Sequence, residues 1–185
     1  MTVHQPLRLR RTAFGLRSAL LGLSLAAATI IAPTQPSHAE DADIIVTIQQ
    51  ESNGRYLDAW DDGSHDYALV TRPAQNDASQ QWIIQWDQSG TATGKLQQVS
   101  TGRFVDAHEI AEKDFLQVTR PEQADATQEW QVSSVGSGLY TIRQISSDRY
   151  MDAHEIAEKD FAVVTRPKQD NSTQLWRLVV IGHPD

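Results

Sequence analysis

From residue 40 onward, apolar and polar side chains alternate with a period of two, the pattern of half-buried strands, and helical spacing is absent. Four runs open the series: 44–50, 56–60, 68–72 and 81–86. Four more follow at 95–100, 104–108, 116–120 and 129–135, and a last four at 140–145, 150–154, 162–166 and 175–180. Clusters of Gly, Asp, Asn, Ser and Pro separate them, as turns between short strands require. Two stretches, 108–113 and 154–159, carry Ala-Glu-Lys, enough for one helical turn but too short for an independent helix, and read as the loop between the second and third strands. Short, evenly spaced strands predict an all-β sandwich or barrel.

The twelve runs are three copies of one unit. Asp58, Asp106 and Asp152 are each followed 24 residues later by Trp82, Trp130 and Trp176, and the copies start 48 and then 46 residues apart. Each copy opens on Arg-aromatic-apolar-Asp-Ala, as in Arg103-Phe104-Val105-Asp106-Ala107. Each continues through Asp-aromatic (Asp66-Tyr67, Asp114-Phe115, Asp160-Phe161) and Val-Thr-Arg-Pro, and closes on Gln-x-Trp at Gln80, Gln128 and Gln174. A period in this range marks a stacked or radial architecture. Open solenoids need atypical terminal caps, whereas here the last unit is as regular as the middle one. Three equal units therefore predict a closed arrangement with pseudo-three-fold symmetry, with repeats at about 44–90, 91–137 and 138–182. Trp82, Trp130 and Trp176 are expected in the core near the axis, with Leu57, Val105 and Met151. The three Gln side chains are expected to brace backbone groups.

Residues 1–39 stand apart. Arg8, Arg10, Arg11 and Arg17 precede an apolar run over 19–32, then Pro33, Pro36 and Ser37-His38-Ala39. This is the layout of a secretory signal peptide cleaved after Ala39, and the apolar run is shorter than the ~20 residues a membrane span needs. Arg10-Arg11 leaves the export route open. The mature region, 40–185, is then one domain, and export makes a secreted, extracellular or periplasmic location the expectation. It holds all 24 acids against 12 Lys and Arg, a formal charge of −12. Such a surface gains nothing from nucleic acid or anionic membranes, so neither is an expected partner, nor is membrane insertion. The chain has no Cys, which excludes disulfides, thiol catalysis and Cys-ligated metal.

The threefold Asp is the main candidate for chemistry. A carboxylate accepts two hydroxyl hydrogen bonds, strengthened by its charge, and equally it can bond backbone amides in the turn that follows. His108-Glu109 and His154-Glu155 invite a metal or acid–base reading, but repeat one has Trp60-Asp61 there, and a metal site needs three or four convergent ligands. No cofactor is implied. Paired carboxylates such as Asp106 and Asp114 exist, yet nothing singles out one active site from three equal units, so a binding module is expected, not an enzyme.

These motifs resemble the ricin B-type β-trefoil lectins: three repeats of four strands, an apolar-Asp near the start of each and Gln-x-Trp at its end. The resemblance covers about 44–180. It implies a six-stranded barrel closed by a three-hairpin cap, and a shallow sugar pocket in each repeat. It places Asp58, Asp106 and Asp152 as acceptors for sugar hydroxyls, and the polar residue before each Gln (Ser79, Thr127, Thr173) as the group that completes the site. No copy has an aromatic on its third strand, where the family packs a ring on the sugar. Trp60, His108 and His154, or Tyr67, Phe115 and Phe161, are the substitutes. Arg72, Arg120 and Arg166 also fall near the pocket, and a guanidinium there would favour a carboxylate-, sulfate- or phosphate-bearing ligand. The expected partner is a glycan or glycoconjugate, held by two or three equivalent sites that gain from avidity. The acidic turns are expected to face outward, so that Asp106→Ala with Asp152→Ala removes binding and leaves the fold intact. A protease inhibitor or protein-binding trefoil is the alternative, as is a targeting subunit for a toxin or hydrolase. The sequence leaves the oligomeric state open.

Overall fold

A computed structural model describes residues 42–184; the expected leader and its cleavage site lie outside the described residues. Repeat one holds β1 (Ile44–Gln50), β2 (Tyr56–Ala59), β3 (Leu69–Arg72) and β4 (Trp82–Trp86). Repeat two holds β5 (Thr93–Gln98), β6 (Phe104–Ala107), β7 (Gln117–Arg120) and β8 (Trp130–Gly136). Repeat three holds β9 (Leu139–Gln144), β10 (Tyr150–Ala153), β11 (Val163–Arg166) and β12 (Trp176–Gly182). The strands begin and end within about two residues of the alternating runs. The largest shift is at β5, which begins two residues early because Thr93 and Gly94 pair with Gln131 and Trp130 of β8.

The pairing closes a ring. β1 pairs β4, β4 pairs β5, β5 pairs β8, β8 pairs β9, β9 pairs β12, and β12 returns to β1. All six contacts are antiparallel, so this barrel has no free edge along the circuit. The remaining strands form three hairpins, β2–β3, β6–β7 and β10–β11. Single bridges Ala68–Val118, Leu116–Val164 and Val70–Ala162 join the hairpins in a triangle. The architecture is a β-trefoil.

The core follows the period-two logic. Trp82, Trp130 and Trp176 open β4, β8 and β12 and are fully buried with Leu57, Val105 and Met151. Each indole nitrogen donates to the carbonyl of that apolar residue in its own repeat, Leu57, Val105 or Met151, at 3.1 Å. A buried Trp needs that partner, because an unmatched N–H in apolar surroundings costs ~1–3 kcal/mol. Ile48, Leu96 and Ile142 fill the same layer from β1, β5 and β9.

The repeats are fastened to one another by the same contacts three times. Arg55, Arg103 and Arg149 lie over the rings of Phe161, Tyr67 and Phe115, 3.7–3.8 Å from the centroids. Those aromatics and the Asp before each have positive φ, near 50°, which turns the ring toward the neighbouring repeat. Their carbonyls accept from the amides of Thr71, Thr119 and Thr165. Buried Gln50, Gln98 and Gln144 donate to the carbonyls of Thr173, Ser79 and Thr127 in the repeat before.

Candidate functional site

Each threefold Asp is the third residue of a four-residue cap strand, with its side chain turned inward. Asp58, Asp106 and Asp152 are only 3%, 1% and 2% exposed. One carboxylate oxygen accepts the amide of the next residue, Ala59, Ala107 or Ala153, at 2.7–2.8 Å. The other faces the Gln of Gln-x-Trp, with Gln174 Nε2 at 3.2 Å from Asp152 and the longer approaches, 3.4 and 3.5 Å, at Asp58 and Asp106. The Nε of Arg72, Arg120 and Arg166 stands 3.8–4.0 Å from that same oxygen. These carboxylates therefore bear structure, and the expectation that the acidic turns face outward is corrected: the side chains turn inward. The cause is the carboxylate's environment: one oxygen is held by the following amide, and the other faces the Gln amide with an Arg charge 3.8–4.0 Å away.

The Gln side chains do brace backbone. Nε2 of Gln80, Gln128 and Gln174 donates to the carbonyl of Pro73, Pro121 or Pro167 at 2.9–3.0 Å. Their Oε1 accepts the amide of Gln75, Gln123 or Gln169. A 3₁₀ turn (Ala78–Gln80, Ala126–Gln128, Ser172–Gln174) delivers each Gln, and Asp77 and Asp125 cap the first two through the amides of Ser79 and Thr127.

Above each of two such Asp residues lies an open hollow. The hollow of repeat two, about 340 Å³, is bounded by Asp106, His108, Glu109, Ile110, Arg120 and Thr127, with Gln123 and Asp125 beside them. That of repeat one, about 410 Å³, is bounded by Asp58, Trp60, Asp61, Arg72, Asp77 and Ser79, with Gln75 and Ser100. The structure thus brings together most residues singled out in the sequence: the Asp, the residue two after it, the Arg and the polar group before Gln. In repeat three the corresponding residues are Asp152, His154, Arg166 and Thr173.

The substitutes for the missing ring are engaged elsewhere. His108 Nε2 is 2.9 Å from Asp66 of repeat one, and His154 Nε2 is 2.8 Å from Asp114 of repeat two. Trp60 Nε1 donates to Asp160 of repeat three at 2.9 Å, completing a three-fold circuit. Arg120 donates to Nδ1 of His108, and since a guanidinium has no acceptor, the His108 proton sits on Nε2 toward Asp66. The Trp60 ring carries His65 stacked at 3.9 Å and the Arg72 guanidinium at 4.4 Å. Two groups so near one centroid fit only on opposite faces, so neither face is free for a sugar. Tyr67, Phe115 and Phe161 each carry the Arg already described.

The tips of the circuit are electrostatically matched. The hydrogen bond from Lys113 holds the Asp66 carboxyl below the usual carboxylate range, outweighing partial burial, with His108 adding to it. At Asp114 burial is the largest influence and pushes upward, but the bond from His154 and the charges of His154, Lys159 and Arg166 together bring the group below its ordinary value. Asp62 is drawn down to about 2 by bonds from Ser64 and His65.

In both hollows the Arg stands among more acids than bases. In the repeat-two hollow Asp106, Glu109 and Asp125 face the single guanidinium of Arg120, leaving a formal −2. Asp58, Asp61 and Asp77 face Arg72 in the same way. The sequence shows an Arg near the pocket but not that a buried Asp already neutralises it. Among the described residues no group of three or more side chains is placed to hold a metal ion.

Sequence reasoning missed Ile110 and Ile156. Each occupies the cap position of a 3₁₀ turn (Ala111–Lys113, Ala157–Lys159), makes no capping hydrogen bond, and is half exposed, 49% and 50%. In repeat one the same position is Asp62, which caps the turn Gly63–His65 through the amides of Ser64 and His65. The signal was present in the repeat alignment as an apolar residue where a cap residue belongs.

A trefoil with a carboxylate-floored hollow in its repeats defines a lectin-like class. A family described as ricin-type beta-trefoil lectin domain-like matches residues 37–117 and 126–183, and the chain belongs to that family. No curated protein matches the chain. Among solved structures, a designed three-fold symmetric protein, ThreeFoil, is 19% identical with a TM-score of 0.64, over 73% of this chain and 97% of that one. An exo-beta-1,3-galactanase from Clostridium thermocellum is 20% identical with a TM-score of 0.64, over 75% of this chain and 30% of that one. The Polyporus squamosus lectin bound to Neu5Aca2-6Galb1-4GlcNAc is 13% identical with a TM-score of 0.63, over 76% of this chain and 50% of that one. At these identities the likeness is one of fold.

Proposed function

We propose that the protein is an exported carbohydrate-binding module in which the hollow of repeat two and the corresponding surface of repeat three are equivalent glycan sites and the hollow of repeat one differs. The family supports carbohydrate binding. The observation that carries the assignment is the exposed Ile at the rim of a polar, carboxylate-floored hollow. An N-cap Ala or Ile in place of Asp costs ~1 kcal/mol, and repeat one shows that this chain can place the Asp. Giving up that cap twice, for an apolar side chain in water, fits a surface kept for the C–H face of a sugar. Thr127 and Thr173, Glu109 and Glu155 supply polar partners around it. The net negative charge of the hollows favours neutral glycans over acidic ones.

Sites of this depth bind weakly one by one, and a rigid body carrying two gains through effective concentration on a dense glycan. A glycan array probed with protein from the full 185-residue chain, with and without EDTA, tests the reading. Binding to neutral glycans that EDTA leaves unchanged is expected. An empty array alongside inhibition of a secreted protease would replace the reading with a protein-binding trefoil. Because the chain corresponds to 30% of the galactanase, a targeting part of a larger assembly is a second reading, and it rests on the same glycan hollows.

A further inference from the structure

A second groove lies on the other side of the Ala78–Gln80 turn from the Asp58 hollow. It is about 350 Å³ and is lined by Thr47 of β1, Tyr56 of β2, Ile181 of β12, and Ala74, Asn76, Asp77 and Gln81 of the loop between β3 and β4, with the buried Gln80 behind them. Asp77 is the wall the two cavities share. The groove contains neither the threefold Asp nor its Arg.

The same place in the other repeats shows that this groove is open by composition and not by the fold alone. In repeat two Thr47 becomes Lys95, Ala74 becomes Glu122 and Tyr56 becomes Phe104. Lys95 reaches across, its Nζ 5.6 Å from the Phe104 centroid, 3.0 Å from Glu122 Oε1 and 2.8 Å from the Gln123 carbonyl. That ion pair occupies the space. In repeat one both charged residues are absent, the ring keeps a hydroxyl, and Ile181 stands beside it 49% exposed. Repeat three is intermediate, with Thr141, Tyr150 and the 54% exposed Val135 at the corresponding positions but Lys168 at that of Ala74.

We infer that the Tyr56–Ile181 groove of repeat one is a further carbohydrate subsite, taking a neutral pyranose. An aromatic ring and an aliphatic side chain offer an apolar floor, and the rim offers a hydroxyl, two amides and one carboxylate, the balance of a site for a ligand with one C–H face and several hydroxyls. The rim has no cation, so an acidic sugar meets only Asp77. The volume lies within the range of small-ligand sites, ~300–1,000 Å³. This subsite rests on the glycan reading of the protein, and it makes repeat one, whose Asp58 hollow has a covered Trp60 and no rim Ile, a binding repeat by a different face.

The test is an amide-resolved titration of ¹⁵N-labelled protein from the full chain with methyl β-D-galactopyranoside and methyl β-D-glucopyranoside. Saturable shifts are expected at Tyr56, Asn76 and Gln81, separate from those at Ala107 and Ala153 over the carboxylate floors. Thr47→Lys with Ala74→Glu, which copies the repeat-two plug, is expected to abolish the first set and spare the second. Shifts at Ala107 and Ala153 alone overturn the subsite and leave the glycan reading standing. Shifts nowhere overturn both, and groove shifts that survive the Lys-Glu plug overturn the assignment to these residues.

Discussion

Replacing Asp106 by Ala tests whether the threefold carboxylate is a buried brace. The side chain is 1% exposed, and its Oδ1 accepts the Ala107 amide at 2.7 Å. Truncation strands that buried N–H, which costs ~1–3 kcal/mol. It also leaves Arg120 without the carboxylate 3.8 Å away and opens a void of two oxygens and a carbon, for ~1 kcal/mol more. The total is ~2–4 kcal/mol, which in a domain of this size lowers Tm by ~6–15 °C. Asp106→Asn is the control. It keeps an acceptor for Ala107 but turns an amide donor toward Gln128 Nε2. Gln128 cannot flip to compensate, because its Oε1 already holds the Gln123 amide at 2.8 Å. Asn is therefore expected to cost ~1–2 kcal/mol, less than Ala and more than nothing. Urea unfolding of both variants beside the unsubstituted protein measures this. A loss below ~0.5 kcal/mol for Ala, the range of surface changes, would refute the account of the floor.

Further expectations follow from single positions. Gly94→Ala should cost ~1–3 kcal/mol in urea unfolding, because a Cβ there would stand 2.4 Å from the Gln85 carbonyl oxygen, and an unchanged midpoint would contradict the tight β4–β5 approach. Gln117→Leu should stabilise the protein by ~1 kcal/mol. Gln117 is fully buried with Oε1 unpartnered, at the position where repeats one and three carry Leu69 and Val163; a lower Tm would show that its bond to the Val164 carbonyl outweighs the orphaned oxygen. Asp66 and Asp114 titrate below their ordinary range in the folded state, so their contribution is present above the unfolded carboxylate value of ~4 and disappears as pH falls through the lower folded values. Asp66→Asn should therefore lower stability at neutral pH and make no difference in strong acid; a difference that grows with acidity would reverse the assignment.

The fold was legible because the pattern repeats. One run such as 68–72 is ambiguous, but three copies at fixed offset from Asp and Trp leave closure as the economical solution, and the register of Trp82 with Ile84 follows from alternation. Strand ends were less legible: β5 starts at Thr93 because Thr93 and Gly94 pair with Gln131 and Trp130 of β8, a tertiary fact. The site was legible as a list and not as geometry. Asp106, His108, Arg120 and Thr127 do share a hollow. That Arg120 neutralises Asp106 and that both faces of Trp60 are covered depend on how side chains from neighbouring strands and turns pack, and that His108 is held by a neighbouring repeat depends on a contact 42 positions apart. Local patterning carries no such information. Ile110 and Ile156 carry no such local signal, since an apolar residue between His-Glu and Ala-Glu-Lys reads as strand residue or filler until its exposure is known.

The proposal that repeats two and three bind sugar over their Ile rims is tested most directly by Ile110→Asp with Ile156→Asp. The change installs the residue repeat one already uses at this place, where it caps the following turn, so Tm should hold or rise slightly. Losing half of a buried Ile contact, ~1–1.5 kcal/mol, lowers each site's affinity about tenfold, and the loss compounds across two sites on a glycan surface. Surface plasmon resonance on immobilised neutral glycans from the array, with both proteins at matched concentration, should show binding collapse for the double variant at undiminished thermal stability. Equal binding by the two proteins would contradict the account.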